Sequence, residues 1–148
     1  MAKSVVRLGR EGMRCEITSR QHVYYADEPE DGGGSDLAPT PTEMLLGALG
    51  GCIAITTRMY AQRKGWPLEG VEVSLDMERF RKGEYPGYDG EFPFVHEIRD
   101  QIIFHGPLDD KQRERLLEIA DRCPVHRVIA NPAFFVEEMI ATEPDSLG

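Results

Sequence analysis

The chain has no run of consecutive apolar residues approaching the roughly 18 that a membrane span requires. Its first residues, Met1-Ala2-Lys3-Ser4-Val5-Val6-Arg7, lack the apolar core of a secretion signal. These two absences set the expectation of a cytoplasmic protein with no membrane partner. Positive charge is scarce: 17 Lys and Arg stand against 26 Asp and Glu, a formal charge of −9. No basic stripe offsets that excess, so no nucleic-acid partner is expected. Gly-x-Ser-x-Gly and His-Glu-x-x-His patterns are missing, and with them the usual residues of a serine hydrolase or a zinc peptidase. Cysteine is limited to three residues, which in a reducing compartment are thiols at rest, so any disulfide is expected to be transient and catalytic.

At 148 residues the chain is long enough for one core and too short for two ordinary domains, so a single domain over residues 1–148 is expected. Val5-Val6-Arg7-Leu8, Met13 to Thr18 and Val23-Tyr24-Tyr25 read as a meander of short strands, the second alternating Met13, Cys15 and Ile17 onto one face. Residues 27–38, acidic and then glycine-rich, read as a mobile loop. A phosphate cradle is disfavoured there, since no Lys follows at P-loop spacing. Val71 to Glu78 alternates without error and predicts a half-buried strand, and Val95 to Phe104 predicts a second. Between them Tyr85, Tyr88, Phe92 and Phe94 either shield the core as a hairpin loop or line an entrance for an apolar ligand. Asp109 and Gln112 cap a further helix whose buried side carries Leu116, Leu117, Ile119 and Ala120. Ala133 to Ile140 predicts a closing strand, and residues 142–148 a frayed tail.

The strongest local signal is Thr40-Pro41-Thr42-Glu43, an N-cap hydroxyl, a proline at the first helical position and a Glu three residues after the cap. It predicts a helix from Pro41 to about Lys64, stopped by Gly65 and Pro67. Apolar on most sides, this helix is expected to be buried. Gly47, Gly50, Gly51 and Ala54 leave one stripe nearly without side chains, suited to close approach by a sheet or by the same helix of a second copy.

Two cysteines sit in contrasting settings. Cys52 lies mid-helix in Leu49-Gly50-Gly51-Cys52-Ile53-Ala54 and is expected in the core; Cys123 opens Cys123-Pro124-Val125-His126-Arg127 and is expected on display at a helix start. There the dipole and free N–H groups favour the thiolate, so Cys123 is expected to ionise readily. Desolvation disfavours an anion at Cys52, whose role as a nucleophile then needs a cation or donor from another segment. Taken alone, Cys52 reads first as packing, and so does Cys15. As a pair, Cys52 and Cys123 suggest a nucleophile and the sulfur that traps its oxidised form. Cys123-x-x-His126 with Cys52 as a third ligand is a weak metal reading without a second Cys pair. His22, His96 and His105 are scattered, and no metal or cofactor is expected.

The run Pro39-Thr40-Pro41-Thr42-Glu43-Met44-Leu45-Leu46-Gly47-Ala48-Leu49-Gly50-Gly51-Cys52, followed by Cys123-Pro124-Val125-His126-Arg127, resembles the OsmC/Ohr family, the osmotically inducible protein C and organic hydroperoxide resistance proteins. The resemblance covers nearly the whole chain. It implies an α+β, OsmC-like fold in which a strongly curved antiparallel sheet wraps a long central helix, built as an intertwined homodimer with two active sites at the subunit interface. It also implies a thiol-dependent peroxidase. In that reading Cys52 attacks an organic hydroperoxide, releases the alcohol and becomes a sulfenic acid, which condenses with Cys123 to a disulfide. A dithiol reductant, of lipoyl type in the family, resets the pair.

The established peroxidase branches carry a glutamate ten residues before the first cysteine. Here that position is Thr42, and Glu43, one residue later, is the candidate for the role while also completing the capping box. Gly9-Arg10-Glu11-Gly12 resembles the arginine-bearing turn of the Ohr branch, which makes Arg10 the candidate cation for the Cys52 thiolate. Gly50-Gly51-Cys52 looks more like a less characterised OsmC-like branch. The rival reading is therefore a non-catalytic OsmC-like stress protein whose cavity holds a small apolar ligand.

Overall fold

The capping residues do what their order predicts in the computed structural model, which describes residues 1–140. Thr40 Oγ1 accepts the Glu43 backbone N–H at 3.2 Å, and Glu43 Oε2 accepts the Thr40 backbone N–H at 2.8 Å. This reciprocal pair starts helix α1 (Pro41–Lys64), which ends where Gly65 turns to φ 66°. The fold is mixed α and β with antiparallel sheets. The chain divides into two compact units: Met1–Leu45 with the residues from Phe134 onward, and Leu46–Ala133. The first turn of α1 belongs to the former and the rest to the latter.

In the first unit β1 (Val5–Arg7), β2 (Cys15–Ser19) and β3 (His22–Ala26) form an antiparallel meander in chain order, with Val6 opposite Ile17 and Ile17 opposite Tyr24. Residues 27–38 carry hydrogen bonds of their own. The buried Asp27 carboxylate accepts the N–H groups of Glu28 at 2.8 Å and Leu37 at 3.2 Å, and the Asp27 N–H donates to the Pro39 carbonyl at 3.1 Å. The Glu28 N–H leads these donors in holding the Asp27 carboxyl below its usual range, against the opposing effect of burial. The glycine run closes on its own backbone, since a Cβ at Gly34 would stand 1.9 Å from the Glu28 carbonyl oxygen.

The expected closing strand at Ala133 to Ile140 does not form. A strand needs a partner to take its N–H and C=O groups. Among the described residues none pairs with this segment, and Phe134 and Met139 are 94% and 97% exposed. The tail expected at 142–148 lies outside the described residues.

The second unit is built on a hairpin. β4 (Gly70–Arg81) and β5 (Phe94–His105) pair antiparallel with Val71 opposite Phe104, Val73 opposite Ile102 and Met77 opposite Ile98. Period-two alternation gathers Val71, Val73, Leu75, Ile98, Ile102 and Phe104 into two apolar clusters. Against them α1 lays Leu49, Ile53, Thr57 and Ala61, a stripe at fourfold spacing. The Thr57 hydroxyl is satisfied within the helix, donating to the Ile53 carbonyl at 2.9 Å. Gly50 allows the approach, because a Cβ there would lie 2.7 Å from Leu75 Cδ1. Helix α2 (Asp110–Ala120) carries the predicted Asp109 and Gln112 capping box and buries Leu116, Ile119 and Ala120, whereas Leu117 faces outward. None of Tyr85, Tyr88, Phe92 and Phe94 enters either cluster, so the hairpin tip does not shield the core; Tyr85 instead donates to Glu97 Oε2 at 2.8 Å.

Helix α1 is less buried than its composition predicts: Leu45, Ile55 and Met59 are exposed, and Gly47 and Gly51 face open space. By length and composition alone it is apolar enough to cross a bilayer, contrary to the expectation from consecutive runs. A capped start and a stripe packed on β4 and β5 are also the marks of a core helix. Ile53 is fully buried in that stripe. Its replacement by alanine is expected to cost about 2–5 kcal/mol, read as a lowered urea midpoint with an unchanged slope.

Candidate functional site

The site is built where α1 meets the junction of α2 and α3 (Pro124–Ala130). Pro124 occupies the first helical position of α3, which makes Cys123 the N-cap, and its Sγ accepts the His126 backbone N–H at 3.2 Å. This cap points inward. Cys123 is 0% exposed and shares a cluster with Leu49, Ile53 and Ala120, against which Cys52 and Val125 pack. Cys52 itself is half-buried, at the margin between the packed stripe of α1 and its exposed side, and both cysteines are free thiols. The expected arrangement is therefore reversed: the mid-helix thiol is the more accessible one, and the helix-cap thiol is sealed.

The reversal changes the acid–base chemistry. Burial pushes the Cys123 thiol up from its usual range, the His126 N–H pulls it down, and the neighbouring Cys52 thiol adds to the rise. Desolvation wins over the cap, so the expectation that Cys123 ionises readily is overturned. Cys52 packs against the same buried cluster that holds Cys123.

Beside this pair lies a cavity of about 140 Å³ lined by Leu49, Ile98, Asp100, His126, Ile129 and Ala130. Asp100 reaches it because it shares the core-facing parity of β5 with Ile98 and Ile102, opposite Leu75. Asp100 does not stand out as a site residue from sequence, and His126 enters there only through the weak metal reading of Cys123-x-x-His126. The available signals are the break in apolar alternation at Asp100 and the Cys-x-x-His spacing. His126 Nδ1 lies 4.0 Å from Asp121 Oδ1.

Arg10 is exposed in the bend between β1 and β2, with no hydrogen bond or ion pair among the described residues. Glu43 is engaged by Thr40 at the start of α1. Both belong to the first unit, while Cys52 and Cys123 meet within the second. Cys15 is half-buried on β2. Among the described residues no three His, Cys, Asp or Glu side chains gather as a metal would need.

A sequence model of the OsmC family, described as OsmC-like protein, matches residues 32–138. No curated protein matches the chain. Among solved structures, a protein of Psychrobacter arcticus 273-4 named for osmotic stress induction and a detoxification response superposes with a TM-score of 0.68 at 22% identity, over 86% of this chain and 87% of the other. An OsmC-like protein of Mycoplasma pneumoniae gives 0.65 at 19% identity over 88% and 87%. An organic hydroperoxide resistance protein OsmC of Legionella pneumophila gives 0.61 at 17% identity over 87% and 88%. At these identities the likeness is one of fold.

Iodoacetamide labelling of the native protein, mapped by peptide mass spectrometry, is expected to modify Cys52 and spare Cys123; equal labelling would contradict the sealed placement. The folded state also holds the Cys123 proton to higher pH than the unfolded chain, so its contribution to stability is full below the ordinary thiol pKa of about 8.5 and falls as pH rises through the folded value. Urea titrations across the alkaline range should show that decline in the wild type and a shallower one in Cys123→Ala.

Proposed function

The chain belongs to the OsmC-like protein family, and from that premise we propose that it is a thiol-dependent peroxidase reducing organic hydroperoxides to alcohols through a Cys52 sulfenic acid and a Cys52–Cys123 disulfide. The observation that carries this reading is the convergence of the two thiols in one apolar cluster, with Cys52 on the accessible side. In the first step the Cys52 thiolate attacks the O–O bond, the alcohol leaves, and the sulfur keeps one oxygen as a sulfenic acid. In the second step the Cys123 sulfur displaces that oxygen as water and closes the disulfide. A dithiol reductant, lipoyl-type by the family resemblance, returns both thiols in a reducing cytoplasm. The apolar neighbours Leu49 and Val125 suit a substrate with an organic tail.

Arg10 is the proposed cation for the Cys52 thiolate, and Glu43 the proposed acidic partner. Arg10 is exposed and unpaired among the described residues, and Glu43 combines this role with its cap. The name of the Legionella pneumophila structure accords with such chemistry. A homodimer is part of the same proposal, supported by the exposed apolar side of α1, by the open Gly47 and Gly51, and by the apolar segment at Phe134 to Ile140, which pairs with no strand among the described residues. The curved sheet that the family resemblance implies belongs to the same proposal.

Consumption of cumene hydroperoxide is expected in the wild type, none in Cys52→Ser, and a single stoichiometric turnover before stalling in Cys123→Ser. Equal and negligible consumption by all three would favour the ligand-binding stress protein. Ile55, 63% exposed on α1, tests the assembly: Ile55→Glu should leave the chain folded by circular dichroism and shift its sedimentation from dimer to monomer. A wild type that sediments as a monomer would refute the dimer.

A further inference from the structure

Disulfide closure requires Cys123 to give up its proton in a place without bulk water, since the residue is fully buried. The titratable groups around it are few. Cys52 faces it from α1, Asp100 lines the adjoining cavity from β5, Asp121 precedes α3, and His126 lies one turn into α3. Of these the imidazole is the side chain whose chemistry suits it both to take and to return a proton. His126 is half-buried, lines the cavity with Leu49, and donates its backbone N–H to Cys123 Sγ at 3.2 Å. Its Nδ1 lies 4.0 Å from Asp121 Oδ1.

We propose that His126 receives the Cys123 proton and returns it to the departing oxygen during disulfide closure, a role that rests on the peroxidase reading above. The step balances without another reagent. Neutral imidazole takes the thiol proton, the Cys123 sulfur bonds to the Cys52 sulfur, the Cys52 S–O bond breaks, and the imidazolium proton leaves with the hydroxide as water. The Cys52 sulfur is reduced as the Cys123 sulfur is oxidised.

The test is a single turnover with one equivalent of cumene hydroperoxide, using wild type, His126→Asn and His126→Gln. Cys52 sulfenic acid is trapped with dimedone, and the disulfide is quantified by mass spectrometry. Both variants keep the backbone N–H that caps Cys123, so the start of α3 is retained. They are expected to form sulfenic acid at the wild-type rate and to close the disulfide about 100-fold more slowly, the lower end of what general acid–base catalysis contributes. Sulfenic acid should accumulate, and added free imidazole should restore part of the closure rate. Closure at the wild-type rate overturns the proposal and leaves the peroxidase reading standing. Slow closure together with a collapsed melting temperature and no imidazole rescue also overturns it, since that pattern is structural. If the wild type forms no sulfenic acid, the peroxidase reading fails. Diamide, which activates Cys52 for attack without peroxide, then decides the case: dependence of that closure on His126 supports the role, and indifference overturns it.

Discussion

The packing of Leu49 and Ile53 against Ala120 and Cys123 is the contact on which the arrangement of this protein depends. It ties the middle of α1 to the break between α2 and α3, over a floor supplied by Val73, Leu75, Ile98 and Ile102. Several local choices make it possible. The Thr40 and Glu43 capping box fixes where α1 begins, hence which residues its packed stripe presents. Gly50 lets that stripe lie close to Leu75, and Ala120 is small enough for the junction to sit down on it. Pro124 turns Cys123 into a cap whose thiol points into the cluster rather than away from it.

That contact also decides the electrostatics. A thiol at a helix N-terminus gains from its donors, and a thiol removed from water loses the stabilisation of its anion. Here both act on one sulfur, and burial is the larger. The outcome is an asymmetric pair, with an accessible thiol on α1 and a sealed, protonated one behind it. Such asymmetry suits the proposed division of labour, in which one sulfur meets the peroxide and the other stays unreactive until its neighbour is oxidised. A resolving thiol that ionised freely at rest would itself be open to oxidation.

Much of this was legible from residue order alone. Both capping boxes, the bounds of α1, the alternation of β4 and the cap position of Cys123 follow from local rules that tertiary structure left intact. What could not be read was which apolar surface is covered within one chain. Ile55, Met59 and Leu117 have core-type side chains yet face outward, and the segment at Phe134 to Ile140 has strand-forming residues but no partner among the described residues. The exposures of Cys52 and Cys123 were inverted for a related reason. Position on a helix tells which groups are nearby, but only the packing of α1 on the α2 and α3 junction tells which sulfur is sealed.

The glycines of α1 extend the reasoning beyond one chain. Each helical glycine costs on the order of 1 kcal/mol relative to alanine, so each calls for an offsetting contact. Gly50 has one, because Leu75 would collide with any larger residue. Gly47 and Gly51 have nothing within 4 Å of the space a Cβ would occupy, and they lie on the side of α1 that also exposes Ile55. A helix that retains two glycines and a branched apolar side chain on an open face is suited to close approach by another surface, which the proposed homodimer would supply. Cys52 lies at the margin of that face. In the proposed homodimer the accessible thiol would stand at the edge of the subunit boundary, where the partner could supply the walls that its own chain leaves open.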